Sequence, residues 1–168
     1  MPDLCPAVYL ASPLGFAAST QAYRQALLGA VNGAGWEALD PWDDPGGAFA
    51  ASLAAAAGIA EQAERRRRLA ELDMGAGRRN HALLDRADAV LAVLDGVDVD
   101  SGTASEIGYG AGRGLPVIGL RTDLRRTGEN EGCLVNLQVE YFVRLNGGQM
   151  VTDLDQAVAA LRELAARR

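Results

Sequence analysis

Lysine is absent from this chain of 168 residues; all 16 of its basic residues are arginine. A Walker-type phosphate loop, a Schiff-base enzyme and a lysine general base are therefore excluded. The one histidine, His81, excludes multi-histidine metal sites and leaves a single candidate partner for a Ser or Cys nucleophile. Cys5 and Cys133 are too few for a cysteine-rich zinc site or a disulfide framework. No apolar run approaches the roughly 18 residues that would span a membrane. Acidic residues number 22, for a net charge of −6, which disfavours nucleic acid and anionic membrane as partners. The N-terminal stretch carries Asp3 and no early positive charge, and Pro13 breaks its apolar run. It reads as a first strand rather than a signal peptide, and the expected location is the cytoplasm, with both cysteines reduced. Carboxylate, Tyr, Asn, Arg and backbone remain for chemistry.

What is present alternates between strand and helix. Residues 7–11 (AVYLA) form a short apolar run stopped by Ser12-Pro13, as a buried strand would be. Residues 20–31 carry apolar side chains at helical spacing and end at Gly33 and Gly35. Residues 36–39 predict a second strand, closed by the turn-rich segment 40–47 (DPWDDPGG). Residues 49–72 are alanine-rich and free of proline, which predicts one helix, with Arg65 to Arg68 as a solvated face. Residues 87–94 (ADAVLAVL) are nearly continuous in apolar character, as a central parallel strand should be. A helix over 103–113, a strand over 115–120 and helices over 135–145 and 153–166 complete the pattern. The expectation is one domain over 1–168, an α/β fold with a flavodoxin-like, doubly wound parallel sheet. Ligands in such sheets bind beyond the carboxyl ends of the strands where strand order reverses, here between the first and third strands. The loops there are 12–16 and 95–106.

The second loop holds Asp95, Asp98, Asp100 and Glu106, four carboxylates in 12 residues. Local structure explains several of them. Asp95-Gly96 is a turn dipeptide, Asp100 or Ser101 can cap a helix, and Thr103 to Glu106 fits the S/T-x-x-E capping box. Against a purely structural Glu106 stand the glycines that follow, at 108, 110, 112 and 114. Each costs about 1 kcal/mol relative to alanine inside a helix, a cost borne where backbones pack closely or a ligand approaches. Glu106 also lies in the first turn at the switch point, and no His, Lys or metal cluster competes for its role.

Residues 87–125 (ADAVLAVLDGVDVDSGTASEIGYGAGRGLPVIGLRTDLR) closely resemble the nucleoside 2-deoxyribosyltransferase family. Residues 8–13 (VYLASP) are similar to that family's first-strand motif, and Asn136-Leu137 with Glu140 and Phe142 to its later motif. The resemblance implies that Glu106 is the nucleophile and Asp100 the carboxylate that binds the sugar hydroxyls. It implies that Tyr9 hydrogen-bonds the nucleophile and that Asn136 reaches a neighbouring subunit's site to contact the sugar 5′-hydroxyl. Asn80 falls where members often carry an aspartate that contacts the base. The implied activity is exchange of the base of 2′-deoxyribonucleosides with free purine or pyrimidine bases, without metal or cofactor. The implied assembly is a homo-oligomer built from dimers, up to a hexamer.

Phe16 and Trp42 lie in loops near the expected pocket and can stack on a base or simply pack, whereas Trp36 reads as core. Arg121, Asp123 and Arg125 predict an ion-pair network at a subunit interface. The nearest competing function is a hydrolase of (deoxy)nucleoside 5′-monophosphates with the same nucleophile. Asp100 argues against it, because a carboxylate repels a phosphate dianion but accepts a hydrogen bond from a 5′-hydroxyl. A non-catalytic nucleotide-binding protein of the same layout is the third reading.

Overall fold

The computed structural model describes residues 5–167. The chain forms two compact units: the chain up to Asp40 together with the chain from Arg86 onward, and Pro41–Asp85.

The first unit holds five strands: β1 (Ala7–Ala11), β2 (Glu37–Leu39), β3 (Ala89–Val93), β4 (Val117–Leu120) and β5 (Gln149–Val151). All pair in parallel, in the order β2-β1-β3-β4-β5. Every residue of β1, β3 and β4 is buried, as expected of parallel strands covered on both faces. This is the flavodoxin-like sheet expected from the sequence, with its reversal between β1 and β3. Helices α1 (Gln21–Gly33) and α6 (Leu154–Ala166) cover one face. There Leu27, Val31 and Leu161 pack with Val8, Leu10, Leu91 and Ile118, and the Trp36 indole donates to the Leu161 carbonyl at 3.0 Å. Helices α4 (Ser101–Gly112) and α5 (Leu137–Arg144) cover the other.

Strand β5 was not expected. Its three residues follow Gly147-Gly148 and are too few to show a period of two, so neighbouring helical patterns hide them.

The second unit replaces the single helix expected over 49–72 by two, α2 (Ala48–Ala57) and α3, which begins at Gln62 and continues to Arg86. Gly58 ends α2, and the Glu61 carboxylate accepts from the amides of Ala63 (2.8 Å) and Glu64 (2.5 Å), starting a new helix. A glutamate doing the work of an N-cap leaves no proline or Ser/Thr signal in the sequence. Along α3, Arg67 bridges Glu64 and Glu71, and Arg66, Arg67 and Arg68 are exposed, so the arginine run is a solvated face. Among the described residues no helix is long and apolar enough to cross a membrane.

The glycines after Glu106 divide. At Gly110 a Cβ would stand 2.8 Å from Val90 Cγ2, so α4 lies against β3 only because that position has no side chain. Gly114 ends the helix with φ +84°, while Gly112 meets nothing within 4 Å and has no packing reason. Gly110→Ala should therefore destabilise the protein by about 1–3 kcal/mol through overpacking. Gly29→Ala, inside α1 with nothing within 4 Å, should stabilise it by about 0.5–1 kcal/mol. Denaturant melts of the two variants check both signs; a neutral Gly110→Ala would mean that Val90 yields freely.

Candidate active site

Two buried groups with opposite needs meet across β1 and α4. Tyr9 sits in the middle of β1, is wholly inaccessible, and has no room for its hydroxyl to reach water. Glu106 sits one and a half turns into α4 and is half-buried. The Tyr9 hydroxyl donates to Glu106 Oε1 at 2.5 Å, the short separation of a charge-assisted bond. The capping-box reading of Glu106 is thereby corrected. Asp100 is the N-cap of α4: its Oδ2 accepts from the Thr103 amide at 2.9 Å and the Thr103 hydroxyl at 3.2 Å. With Asp100 rather than Thr103 at the cap, Glu106 lies beyond the capping position and turns to Tyr9 instead.

Among the described residues, one oxygen of each carboxylate accepts no hydrogen bond. Tyr9 occupies Oε1 of Glu106, and Thr103 occupies Oδ2 of Asp100. Burial pushes the Glu106 carboxyl up to about 7; the Tyr9 hydrogen bond pulls it down, and the charge of Asp100 adds to the rise. A half-buried carboxylate that is only partly ionised near neutrality, with an unoccupied oxygen and a second carboxylate nearby, is equipped to meet a developing cation.

Other expected site residues are placed as follows. Phe16 is three-quarters exposed in the turn after β1, where its amide closes on the Pro13 carbonyl at 3.1 Å. Asn136 is exposed at the N-cap of α5, with Oδ1 accepting from the amides of Gln138 (3.0 Å) and Val139 (3.4 Å). Its Nδ2 donates to Glu129 at 2.7 Å, and Glu129 also accepts from the Leu137 amide at 2.8 Å. Glu140, buried in α5, holds the segment before it by accepting from the Leu134 amide at 2.8 Å. Trp42 and Asn80 belong to the second unit. Trp42 is half-buried in the turn before α2; Asn80 is half-buried on α3, its Oδ1 buried without a hydrogen bond. The structure thus brings Tyr9, Asp100 and Glu106 together.

Asp95 is a turn cap: Oδ1 accepts from the amides of Thr122 (2.6 Å) and Asp123 (2.9 Å), and Oδ2 from the Thr122 hydroxyl (2.7 Å). The ion-pair network expected of Arg121, Asp123 and Arg125 is only partly present. Arg125 pairs with Asp123, but Arg121 is buried and donates to the backbone carbonyls of Leu94, Gly96 and Arg125. A buried arginine after a strand leaves no sign in the sequence of whether a carboxylate or a carbonyl will receive it.

The profile of the nucleoside 2-deoxyribosyltransferase family matches residues 8–138, a span that contains every residue named above as a candidate except those of the last turns of α5. The chain belongs to that family. Its relatives include an uncharacterised protein of Schizosaccharomyces pombe, 28% identical over an alignment covering 99% of this chain and 92% of that one. A 2-desoxiribosyltransferase of Leishmania mexicana shares the fold with a TM-score of 0.64 at 22% identity, covering 94% of this chain and 97% of its own. A 2-deoxyribosyltransferase of Bacillus psychrosaccharolyticus does so with a TM-score of 0.60 at 19% identity, covering 92% and 95%.

In this deoxyribosyltransferase-family chain the raised Glu106 has consequences for stability as well as for reactivity. Between the ordinary value of 4.5 and about 7 the folded protein holds a proton that the unfolded chain has released. Its contribution to stability is therefore present in acid and lost as pH rises through 7. Glu106→Gln, which cannot ionise, should gain in Tm over the parent at pH 8 more than at pH 5. Tyr9→Phe removes the donor that favours the charge and should move the Glu106 midpoint above 7. Carboxyl-carbon NMR titration reads that midpoint directly; a downward shift would contradict the assigned direction of the Tyr9–Glu106 bond.

Proposed function

We propose that the chain exchanges the base of 2′-deoxyribonucleosides through a covalent deoxyribosyl-Glu106 intermediate. The observation that carries this reading is the Tyr9–Glu106 hydrogen bond, which orients a half-buried carboxylate with one oxygen left over. With Tyr9 on Oε1, Oε2 is the oxygen that attacks C1′. As the C1′–N bond breaks, its electron pair leaves with the base, which takes up a proton. The sugar passes through an oxocarbenium-like state stabilised by the carboxylate and is then trapped as an ester. A 2-deoxy sugar reaches that state more readily, because no electron-withdrawing 2′-oxygen opposes it. A second base attacks C1′, loses a proton and restores the Glu106 carboxylate, giving net retention; water in its place gives slow hydrolysis. No metal or cofactor enters any step.

Asp100 binds the sugar 5′-hydroxyl through its unoccupied Oδ1, which favours nucleosides over their 5′-monophosphates. Asn80 can hydrogen-bond a base but, being an amide, cannot protonate one, so the leaving base takes its proton from elsewhere. Phe16 and Trp42 supply stacking surface. Incubation with a deoxynucleoside donor and a panel of free bases, resolved by chromatography, tests the reaction class. Exchange supports the transferase, whereas base release without exchange would identify a hydrolase. Glu106→Gln should lower exchange by orders of magnitude, and Glu106→Ala should abolish the deoxyribosyl adduct seen by mass spectrometry. Near-normal turnover of Glu106→Gln sinks the assignment.

The same reading makes the active form a homo-oligomer built from dimers, in which Asn136 reaches a neighbour's site. In its support, Asn136 is exposed at the start of a helix whose Leu137 and Tyr141 are also exposed, an apolar face suited to a second copy. Mixing inactive Glu106→Ala subunits with inactive Asn136→Ala subunits should restore activity, because some pockets then hold both residues. Verified subunit exchange without recovered activity rules out the shared site.

A further inference from the structure

Arg121, the first residue after β4, is 4% exposed, yet its guanidinium meets no carboxylate among its hydrogen bonds. Nη1 donates to the carbonyl of Leu94, and Nη2 to those of Gly96 (3.2 Å) and Arg125 (2.6 Å). Nε is buried without a partner. A buried cation whose hydrogen bonds among the described residues go only to carbonyls is costly. What it achieves is to grip the chain on both sides of the Asp95 turn, at the end of β3, and to tie that turn to the loop after β4. Asp95 adds its own bonds to Thr122 and Asp123, and the Gly96 amide donates to Asp123 at 3.3 Å. Gly96 has φ +126°, a conformation open to glycine and rarely to other residues.

Only residues 97–99 separate Gly96 from Asp100, with Val97 exposed and Val99 buried. Glu106 is held by different means: the hydroxyl of Tyr9, the buried Ile107 beside it, and the close fit of Gly110 on Val90. We infer that Arg121 is a positioning residue for the sugar-binding carboxylate Asp100, governing how tightly the deoxynucleoside is held and not how fast Glu106 attacks. The inference rests on the role proposed above for Asp100.

Initial rates of base exchange over a range of donor concentrations, for the parent, Arg121→Met, Arg121→Lys and Asp100→Ser, test it. Functional sites are counted in each preparation from the deoxyribosyl adduct formed on mixing. Arg121→Met keeps the length of the side chain and removes every donor; KM for the donor should rise about tenfold with kcat per counted site unchanged. Arg121→Lys restores a cationic donor of different reach and should fall between the two. A residue that merely supports the fold would lower the number of counted sites and leave KM alone. If Arg121→Met yields no folded protein, Arg121→Lys carries the test by the same KM criterion. Parental KM in the arginine variants alongside a raised KM in Asp100→Ser overturns the role of Arg121. Parental KM in Asp100→Ser overturns the role of Asp100, and the inference with it.

Discussion

A single hydrogen bond, from the Tyr9 hydroxyl to the Glu106 carboxylate, organises the candidate site of this protein. Neither group is tolerable alone where it stands. A phenol inside a central strand must find an acceptor, and a half-buried carboxylate must find donors, so each residue settles the other's desolvation. Residues 97 positions apart can do this only because β1 and β3 are neighbours in the sheet and α4 crosses back over them. The parallel order β2-β1-β3-β4-β5 is thus the condition for the site, and the absence of a side chain at Gly110 sets how closely α4 can approach.

The settlement is incomplete. One donor cannot satisfy a carboxylate, so burial still outweighs Tyr9 and the Glu106 carboxyl stays raised to about 7. A fuller set of donors would stabilise the charge and the fold together, and would blunt the oxygen proposed to attack. Asp100 shows the same economy, since both of its bonds to Thr103 fall on Oδ2. Sites that keep reactive groups undersatisfied are maintained against stability by packing elsewhere, here the fully buried strands β1, β3 and β4.

Much of this was legible in the sequence, for identifiable reasons. Continuous apolar runs at 7–11, 87–94 and 115–120 mark strands covered on both faces, and their alternation with helices fixes the fold class and the two loops at the switch point. What stayed hidden was decided by tertiary contact. Thr103 and Glu106 satisfy a local capping pattern, but Asp100 takes the cap; the bond from Tyr9 to Glu106 was expected from the family resemblance and from no local pattern. Glu61 starts a helix without any usual start signal, and β5 is too short to have a pattern. Arg121 has the same sequence signature whether it pairs across a surface or is buried on carbonyls. The role of Asn80 rests on resemblance and that of Trp42 on its place in a loop near the expected pocket, because the unit that carries them has no local motif pointing to a base.

The missing lysines and the single histidine bear on the chemistry in one further way. Arginine does not release its proton in a protein, so none of the 16 basic side chains can act as an acid or base near neutrality. The one histidine is exposed on α3, 3.7 Å from Asp85, in the other compact unit. In the unit that holds the sheet, burial brings the Glu106 carboxyl up to about 7. The group proposed as nucleophile is therefore also a proton switch: while protonated it cannot attack, and the same burial that makes its charged form reactive decides how often that form is present.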